Sequence, residues 1–343
     1  MKAAVLHGVD DIRYEDYDNL PVSDNEVKVR VKICGICKSD VPRVLKGTAH
    51  FFPIILGHEF SGIIEEIGKN VDNINIGDHV AGVPLIPCFE CEDCKNGNYS
   101  LCKNYKFVGS SKFGAYAEYV VVPKTNVVKI SKDISFEEGA LFEPATVALH
   151  ALNIAKFQKN KRVAILGLGT IGSFVLQWCR IYGANSITVF SSTKDKEILA
   201  RKLGATSFVC EKDISNSIYK NNYDFVFDTA GIEITIKNSF LLAANKATVC
   251  FVGTPTIDFN ISWKWWELIN RKEMKVTGSW MSYSKPFPGM EWEKTAECFN
   301  NNSLLFDKEI IYKEEPLSNI KEVFEEYKIS GKVKGRVLLK CDK

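Results

Sequence analysis

The chain has 343 residues, of which 45% are hydrophobic and 25% charged, and its formal net charge is +2. This length suits two domains, and the near-neutral charge gives no whole-molecule field for binding nucleic acid or an acidic membrane. No run of about 18 apolar residues could span a bilayer, and the start of the chain lacks the apolar run of a signal peptide. We therefore expect a cytoplasmic protein with neither a nucleic-acid nor a membrane partner.

The first third of the chain shows the alternation typical of β-strands. Residues Glu26–Ile33 alternate polar and apolar side chains at period two, which predicts a half-buried strand. Further strands are predicted at Gly62–Gly68 and Glu118–Val122. These segments are broken by glycine and proline, so we expect a mainly-β domain.

The pattern changes near residue 148. Apolar strands then alternate with helical stretches, with strands predicted at residues 162–166, 187–190, 223–227 and 248–252. Strands that alternate with helices indicate a parallel sheet with right-handed crossovers. This alternation predicts a doubly wound α/β domain.

The alternation stops after about Ser284. A helix at Leu317–Ile329 and a last strand at Gly335–Leu339 are predicted beyond it. We therefore expect a discontinuous mainly-β domain of residues 1–148 and 285–343, with an α/β Rossmann domain of residues 149–284 inserted into it.

A glycine motif follows the first strand of the α/β part and opens a helix. Its first glycine permits a tight turn, its second lets backbone N–H groups approach a pyrophosphate, and its third lets helix and strand pack closely. The candidate cofactor-binding residues are Gly167, Gly169, Thr170, Ile171 and Gly172. The alternative is a glycine turn without a ligand, but the strand before it and the helix after it favour a dinucleotide site.

The end of the next strand bears on the choice of dinucleotide. An acidic residue that binds the adenine ribose of NAD is expected about 20 residues after the glycines, and Ser191 stands there instead. Hydroxyls and a cation at Ser191, Ser192 and Lys194 suit a 2′-phosphate. This favours NADP(H), and the alternative is a solvated loop with NAD held by other contacts.

Four of the eleven cysteines lie close together, at Cys88, Cys91, Cys94 and Cys102. Four thiolates in a short loop can close a tetrahedral shell around zinc without leaving an open position. We predict a structural zinc lobe over residues of about 84–105, the alternative being buried free thiols. Cys34 is interpreted as a core thiol rather than a ligand.

A second, open metal site is suggested by residues that are separated in the chain. Cys37 lies in a Gly-Ile-Cys-Lys-Ser-Asp segment, His58 and Glu59 follow Gly57, and Glu143 precedes Pro144. Each element is weak alone. A histidine beside a glutamate is often only a hydrogen-bonded pair, and Glu-Pro is often only a helix boundary.

The segment from Gly57 to Gly62, continued by Gly68, Val71, Gly77-Asp78 and Val80, resembles the signature of zinc-containing medium-chain dehydrogenases. The resemblance extends to the four-cysteine lobe and the glycine motif, and so covers nearly the whole chain. Further segments resemble the polyol dehydrogenase branch, above all the group of galactitol-1-phosphate 5-dehydrogenases: residues 47–53, 84–88, 278–284 and 288–292.

This resemblance implies a GroES-like catalytic domain beside the Rossmann domain, and two zinc ions per subunit. It implies catalytic zinc ligands at Cys37, His58 and Glu143, with Glu59 as an alternative ligand or as the residue that holds the ligand water. It further implies a proton-relay hydroxyl at Ser39 and an Asp40 that orients His58, a role that metal-bound histidines usually require. A homodimer or homotetramer is also implied.

The substrate implied is a polyol or sugar-alcohol phosphate. Its phosphate requires cations, for which the candidates are Arg43, Lys46, His50, Arg271, Lys272 and Lys285. Trp280 and Tyr283 could stack on a sugar chain or belong to the core. The alternatives are a sorbitol, idonate, threonine or secondary-alcohol dehydrogenase, an NADPH-dependent ketose-phosphate reductase, a metal-free quinone reductase, and a non-enzymatic zinc protein. The candidate metal ligands argue against the third, and the absence of a basic stripe argues against the last.

Overall fold

The computed structural model describes residues 1–210, 214 and 217–342. The chain forms two compact units. The first consists of Met1–Glu143, Tyr283–Asn302 and Phe306–Lys343, and the second of Pro144–Ser282 and Ser303–Leu305. The divisions after residues 143 and 282 lie near the sequence-based divisions after residues 148 and 284.

The described strands are β1 (Lys2–Gly8), β2 (Asp11–Asp16), β3 (Glu26–Ile36), β4 (Ile54–Ile55), β5 (Glu59–Ile67), β6 (His79–Gly82), β7 (Leu85–Ile86), β8 (Lys106–Phe107), β9 (Tyr119–Pro123), β10 (Val127–Lys129), β11 (Arg162–Leu166), β12 (Ser186–Ser191), β13 (Ser207–Cys210), β14 (Tyr223–Asp228), β15 (Ala243–Phe251), β16 (Lys275–Gly278), β17 (Ile311–Pro316) and β18 (Arg336–Lys340). The described helices are α1 (Asp40–Leu45), α2 (Glu92–Lys95), α3 (Phe136–Ala140), α4 (Phe142–Ile154), α5 (Thr170–Ile181), α6 (Glu197–Leu203), α7 (Glu233–Leu242), α8 (Trp263–Arg271), α9 (Met290–Asn300) and α10 (Ile320–Tyr327).

The first unit is built on a mainly antiparallel sheet in the order β10-β6-β5-β3-β18-β17, with β9 also paired to β3. The alternation predicted for β3 is present, because Val27, Val29 and Val31 are buried while the residues between them are partly exposed. Strand β18 pairs antiparallel with β3 and parallel with β17. The last strand, β18, is therefore an interior strand of the same sheet as β3.

The second unit contains a six-stranded parallel sheet in the order β13-β12-β11-β14-β15-β16. Strand β11 reads Arg-Val-Ala-Ile-Leu, and its last four residues are fully buried. A parallel sheet is covered on both faces, so its central strands carry continuous apolar runs rather than alternation. The glycine motif follows β11 directly, at the carboxyl end of the sheet.

Most predicted elements differ from the observed ones only at their ends. The predicted helix Leu317–Ile329 is shorter in the structure, because residues 317–319 form a single 3₁₀ turn before α10 begins at Ile320. The interpretation of Cys34 as a core thiol is confirmed, since it is buried in the core of the first unit. Within the described part of the chain, no helix has the length and apolar character needed to cross a membrane.

Candidate active site, metal sites and dinucleotide site

The first unit brings Cys37, His58 and Glu59 together. Strands β3 and β5 pair antiparallel, with Gly35 opposite Glu59, so the end of one strand lies beside the start of the other. Cys37 directly follows β3, and His58 directly precedes β5. One potential ligand atom from each of the three side chains lies within 4.8 Å of the others. Sulfur, imidazole and carboxylate form a donor set typical of an open catalytic zinc site.

The carboxylate of Glu59 is the part of this group that most favours a cation. Glu59 is 1% exposed, and neither of its oxygens has a hydrogen-bond partner. The Nε of Arg336 lies 3.1 Å from Oε2, while Nη1 of the same guanidinium donates to the carbonyl of Ile36. Burial raises the pKa of Glu59 to about 8, against the opposing charge of Arg336. A buried carboxylate that has one ion pair and accepts no hydrogen bond fits a metal ligand.

A set of hydrogen-bonded polar side chains centred on Asp40 lies beside His58. Asp40 is fully buried, and its Oδ1 lies 3.7 Å from Nδ1 of His58, which is too long for a direct hydrogen bond. The hydroxyl of Tyr116 donates to Oδ2 of Asp40 at 2.8 Å. Nη1 of Arg43 donates to Oδ1 at 2.7 Å and also to Oγ of Ser39 at 3.2 Å. Tyr116 and Arg43 were not assigned to this chain of contacts from the sequence.

Glu143 lies close to this group but outside the set of three ligand atoms. It is in the first turn of α4, and burial, followed by the negative charge of Glu59, raises its pKa to about 7. The structure therefore groups Glu59 with Cys37 and His58, whereas the sequence favoured Glu143 as the third ligand. The local sequence could not separate the two, because each is a single glutamate outside any motif whose spacing fixes a ligand.

The four cysteines of the predicted lobe are also brought together. Their sulfur atoms lie within 4.8 Å of one another, and Cys88 Sγ is 3.9 Å from Cys94 Sγ. Backbone N–H groups point at the sulfurs: that of Cys88 donates to Cys102 at 3.3 Å, and that of Cys91 donates to Cys88 at 3.4 Å. This cradle of amides favours thiolates.

The protonation of these thiols depends on their position in the lobe. A hydrogen bond from the backbone N–H of Cys94 lowers the pKa of Cys91 to about 6, which favours its thiolate. Burial raises the pKa of Cys94 to about 12. Full deprotonation of all four therefore requires a bound cation, and four sulfurs without an open position suit structural zinc.

An aromatic cluster holds the lobe to the segment after residue 282. Phe287 makes edge contacts with Phe89 and Tyr99 at centroid distances of 5.5 and 5.3 Å and stacks on Tyr283 at 5.7 Å. Tyr283 also stacks on Trp292, and its hydroxyl accepts a hydrogen bond from the backbone N–H of Leu85. Tyr283 is 3% exposed. Tyr283 is therefore a core residue, which is the second of the two roles that the sequence left open for it.

The glycine motif in the second unit has the geometry that its three glycines predict. Gly167 has a φ of +94°, which favours glycine. A Cβ on Gly172 would lie 2.2 Å from the carbonyl oxygen of Gly167, so α5 could not approach the turn with a larger residue there. A Cβ on Gly169 would meet nothing within 4 Å, which leaves room for a ligand beside the backbone. Thr170 and Ile171 form the first turn of α5.

One further residue, which was not predicted from the sequence, hydrogen-bonds to this turn from the end of the neighbouring strand. Thr229 follows β14 and donates from Oγ1 to the carbonyls of Leu166 and Gly167, at 3.1 and 3.0 Å. The sequence feature that could have identified Thr229 is its position directly after a parallel strand that pairs with β11, because the carboxyl ends of neighbouring parallel strands meet at one edge of the sheet.

The segment after β12 places hydroxyls and amines near the glycine turn, together with one exposed carboxylate, Asp195. Ser191 is buried at the strand end and accepts a hydrogen bond from the backbone N–H of Thr193, while Ser192 and Lys194 are exposed. Lys196, which the sequence analysis passed over, donates from Nζ to the carbonyl of Leu168 inside the motif at 2.5 Å. This lysine therefore lies beside the turn that the glycines form.

Two candidate phosphate-binding cations have other partners. Nζ of Lys272 donates to the carbonyls of Phe240, Leu241 and Ala243 at the end of α7, and burial lowers its pKa to about 8. Arg271 pairs with Glu267 one turn earlier on α8. Lys272 is therefore not a free phosphate ligand. Lys46, His50 and Lys285 are exposed.

The comparisons with known proteins agree with this architecture. Residues 23–132 match the family described as "Alcohol dehydrogenase GroES-like domain", and residues 170–299 match "Zinc-binding dehydrogenase". The chain is 39% identical over 295 residues to galactitol 1-phosphate 5-dehydrogenase of Escherichia coli K12, which covers 84% of this chain and 85% of that one. It is 31% identical to sorbitol dehydrogenase of Bacillus subtilis over 75% of this chain and 76% of that one.

Two solved structures match almost the whole chain. The crystal structure of galactitol-1-phosphate dehydrogenase from Escherichia coli superposes with a TM-score of 0.93 at 35% identity, covering 99% of this chain and 100% of that one. A putative zinc-binding dehydrogenase from Sinorhizobium meliloti, bound to NADP, superposes with a TM-score of 0.89 at 28% identity, covering 98% of each chain. The chain therefore belongs to the zinc-binding dehydrogenases with a GroES-like domain and a Rossmann domain, and it is an oxidoreductase of the polyol and alcohol dehydrogenase family.

Proposed function

We propose that this dehydrogenase transfers a hydride between NAD(P) and a polyol or sugar-alcohol phosphate, with galactitol 1-phosphate as the leading substrate. The observation that carries the proposal is the group of partly buried Cys37 and buried His58 and Glu59, which offers three zinc-type donors. The similarity to galactitol 1-phosphate 5-dehydrogenase over most of the chain supports the choice of substrate.

Each residue near the metal group has a distinct proposed role. Cys37, His58 and Glu59 bind the catalytic zinc at rest, and Glu143 is the nearby carboxylate that exchanges with Glu59 or binds the ligand water. A zinc ion held by these residues would supply Lewis-acid chemistry for the substrate oxygen. Ser39 carries the proton that the substrate hydroxyl releases, and Asp40 orients His58.

The second zinc ion in this proposal is structural. Its ligands are Cys88, Cys91, Cys94 and Cys102. Together with the catalytic ion, this gives two zinc ions per subunit. We further propose that the first unit is the domain for metal-dependent chemistry and the second unit the domain for the dinucleotide.

The dinucleotide in this proposal is NADP(H), bound at Gly167, Gly169, Thr170, Ile171 and Gly172. No carboxylate stands at the Ser191 position to repel a 2′-phosphate, and Ser192, Lys194 and Lys196 supply hydroxyl and ammonium donors. This choice supports a second candidate function, the reduction of a ketose phosphate by NADPH.

We also propose that the protein is a homodimer or homotetramer. Strand β16 is the last strand in the sheet order of the second unit, and Val276 on it is 41% exposed. On the neighbouring helix α8, Trp263 and Trp266 are 68% and 63% exposed. Apolar side chains beside a free strand edge support association between copies.

A panel of hexitol and pentitol phosphates with NAD and NADP, assayed separately in both directions, tests the substrate and the dinucleotide. We expect the highest kcat/KM with galactitol 1-phosphate and NADP. A tenfold or larger preference for NAD would contradict the interpretation of Ser191, since a favourable phosphate contact is worth about 1.4 kcal/mol or more.

Variants test the metal group. Cys37→Ala and His58→Ala should each abolish turnover and reduce bound zinc from two ions to one, without loss of the folded circular dichroism spectrum. Cys210→Ala, which lies outside both metal groups, is the matched control and should retain both ions and activity. Unchanged turnover in Cys37→Ala would remove the metal assignment.

A further inference from the structure

The guanidinium of Arg43 joins two groups that the proposed reaction uses separately. Its Nη1 lies 2.7 Å from Oδ1 of Asp40 and 3.2 Å from Oγ of Ser39. One nitrogen thus contacts both the carboxylate behind His58 and the hydroxyl placed for proton transfer. Arg43 is in the short helix α1, whose first residue is Asp40 and whose preceding residue is Ser39.

The contact to Asp40 has an energetic reason. The side chain of Asp40 is fully buried, and that of Arg43 is only 18% exposed. A buried carboxylate without a cation or donors is costly, and removing one partner of such a pair leaves the other uncompensated. The hydroxyl of Tyr116 satisfies Oδ2, so Arg43 is the cation that compensates Oδ1.

The contact to Ser39 fixes the direction of a hydroxyl. A guanidinium has only donors and keeps its proton at physiological pH. Ser39 must therefore accept at this contact, and its own hydrogen points away from Arg43. The hydroxyl is left free to donate elsewhere, and its oxygen stays at a fixed distance from Asp40.

We propose that Arg43 is a positioning residue that holds the Ser39 hydroxyl and the Asp40–His58 pair in one frame, rather than a receptor for the phosphate of the substrate. The expected effect on kcat rests on the proposed function. The expected effect on zinc affinity rests only on the geometry around Asp40.

The experiment compares zinc-loaded Arg43→Gln and Arg43→Lys with the wild type. Arg13→Gln is the matched control, because Arg13 is an exposed arginine that pairs with Asp11 and with no residue of either metal group. The kcat and KM are measured with galactitol 1-phosphate and with galactitol. The affinity of the Cys37–His58–Glu59 site for zinc is measured by competition with a chromophoric chelator, and Co²⁺ in its place gives a visible spectrum that reports ligand geometry.

Arg43→Gln should weaken zinc binding at this site about 10- to 100-fold, as loss of groups behind a metal-bound histidine does, and should shift the Co²⁺ spectrum. Its kcat should fall by a similar factor with both substrates, while KM for the phosphate changes little. Arg43→Lys keeps the charge beside Asp40 but lacks the planar guanidinium that fixes the direction of both contacts, so its zinc affinity should return to within about threefold while its kcat stays low.

Two results would overturn the inference. A rise in KM confined to galactitol 1-phosphate, with unchanged zinc affinity, would make Arg43 a phosphate ligand. Unchanged zinc affinity and unchanged kcat in Arg43→Gln would make it a surface residue without this role. If the wild type oxidises no polyol, the proposed substrate fails, and the chelator competition and the Co²⁺ spectrum still decide the role of Arg43.

Discussion

At the scale of single residues, Lys272 shows how a cation can be structural rather than catalytic. Its ammonium satisfies three backbone carbonyls at the end of α7 and the start of β15. We expect Lys272→Met to lower the free energy of unfolding by about 2 to 4 kcal/mol, because buried carbonyls then lose charged donors. Urea denaturation at pH 7 measures this difference.

Lys264→Met is the control for this change, since Lys264 is exposed on α8, and it should stay within about 0.5 kcal/mol of the wild type. KM for a polyol phosphate should be unaffected by Lys272→Met. A large rise in KM together with wild-type stability would show that Lys272 binds substrate after all.

Two contacts that the sequence could not specify share a physical cause, because each joins residues that are far apart in the chain. Tyr283 accepts from Leu85, and Arg336 donates to Ile36, a residue 300 positions earlier in the chain. No local pattern encodes such pairings, so the burial of Tyr283 and the presence of Arg336 beside Glu59 could not be predicted. The four-cysteine group and the glycine motif could be, because each is a short segment whose spacing carries its own geometry.

At the scale of elements, Arg162 and Asp224 tie the start of β11 to the start of β14. The carboxylate of Asp224 accepts from the backbone N–H, Nε and Nη2 of Arg162, at 2.9, 3.2 and 3.1 Å. Burial raises the pKa of Asp224, but these hydrogen bonds outweigh it and leave the pKa below its ordinary value. The folded state therefore favours the ionised carboxylate.

We expect Asp224→Asn to lower the free energy of unfolding by about 1 to 2 kcal/mol at pH 7, a value discounted for partial exposure of the pair. Because the folded pKa is lower than the unfolded one, this contribution is fully present above the unfolded value of 3.8 and is lost as the pH falls through the folded pKa. Denaturation at pH 7 and pH 5 should give the same difference between variant and wild type. A difference that disappears by pH 5 would contradict the assigned direction of the pKa.

The four-cysteine lobe is the element for which metal removal makes the clearest prediction. We expect Cys91→Ser to lose one zinc ion and to lower the melting temperature, because the lobe is a turn-rich loop that the metal holds. A loss of about 3 kcal/mol corresponds to about 6 to 12 °C for a unit of this size. Differential scanning calorimetry measures the shift.

Cys210→Ser is the matched control for the lobe and should change neither zinc content nor melting temperature. An unchanged melting temperature in Cys91→Ser, with one zinc ion lost, would show that the aromatic cluster around Phe287 holds the lobe without metal.

At the scale of the whole molecule, the fold could be predicted further than the site. The strands of the α/β part follow from continuous apolar runs bounded by turns, and β11 has the predicted bounds. The choice between Glu59 and Glu143 depends on how β3 meets β5, and the bond from Tyr116 to Asp40 joins residues that are 76 positions apart in the chain. Such arrangements exist only after the sheet has formed.

The position of β18 between β3 and β17 has a consequence for how the protein is made. A ribosome that adds about 5 to 20 residues per second releases β3 long before β18, which pairs with residues 33–36 of β3. That part of β3 is therefore an open β-edge for most of the synthesis of the chain. A chain stopped at residue 335 would keep that edge for good. It should accumulate in inclusion bodies, or on chaperones that capture exposed strands, even though every residue of the dinucleotide unit has already been translated.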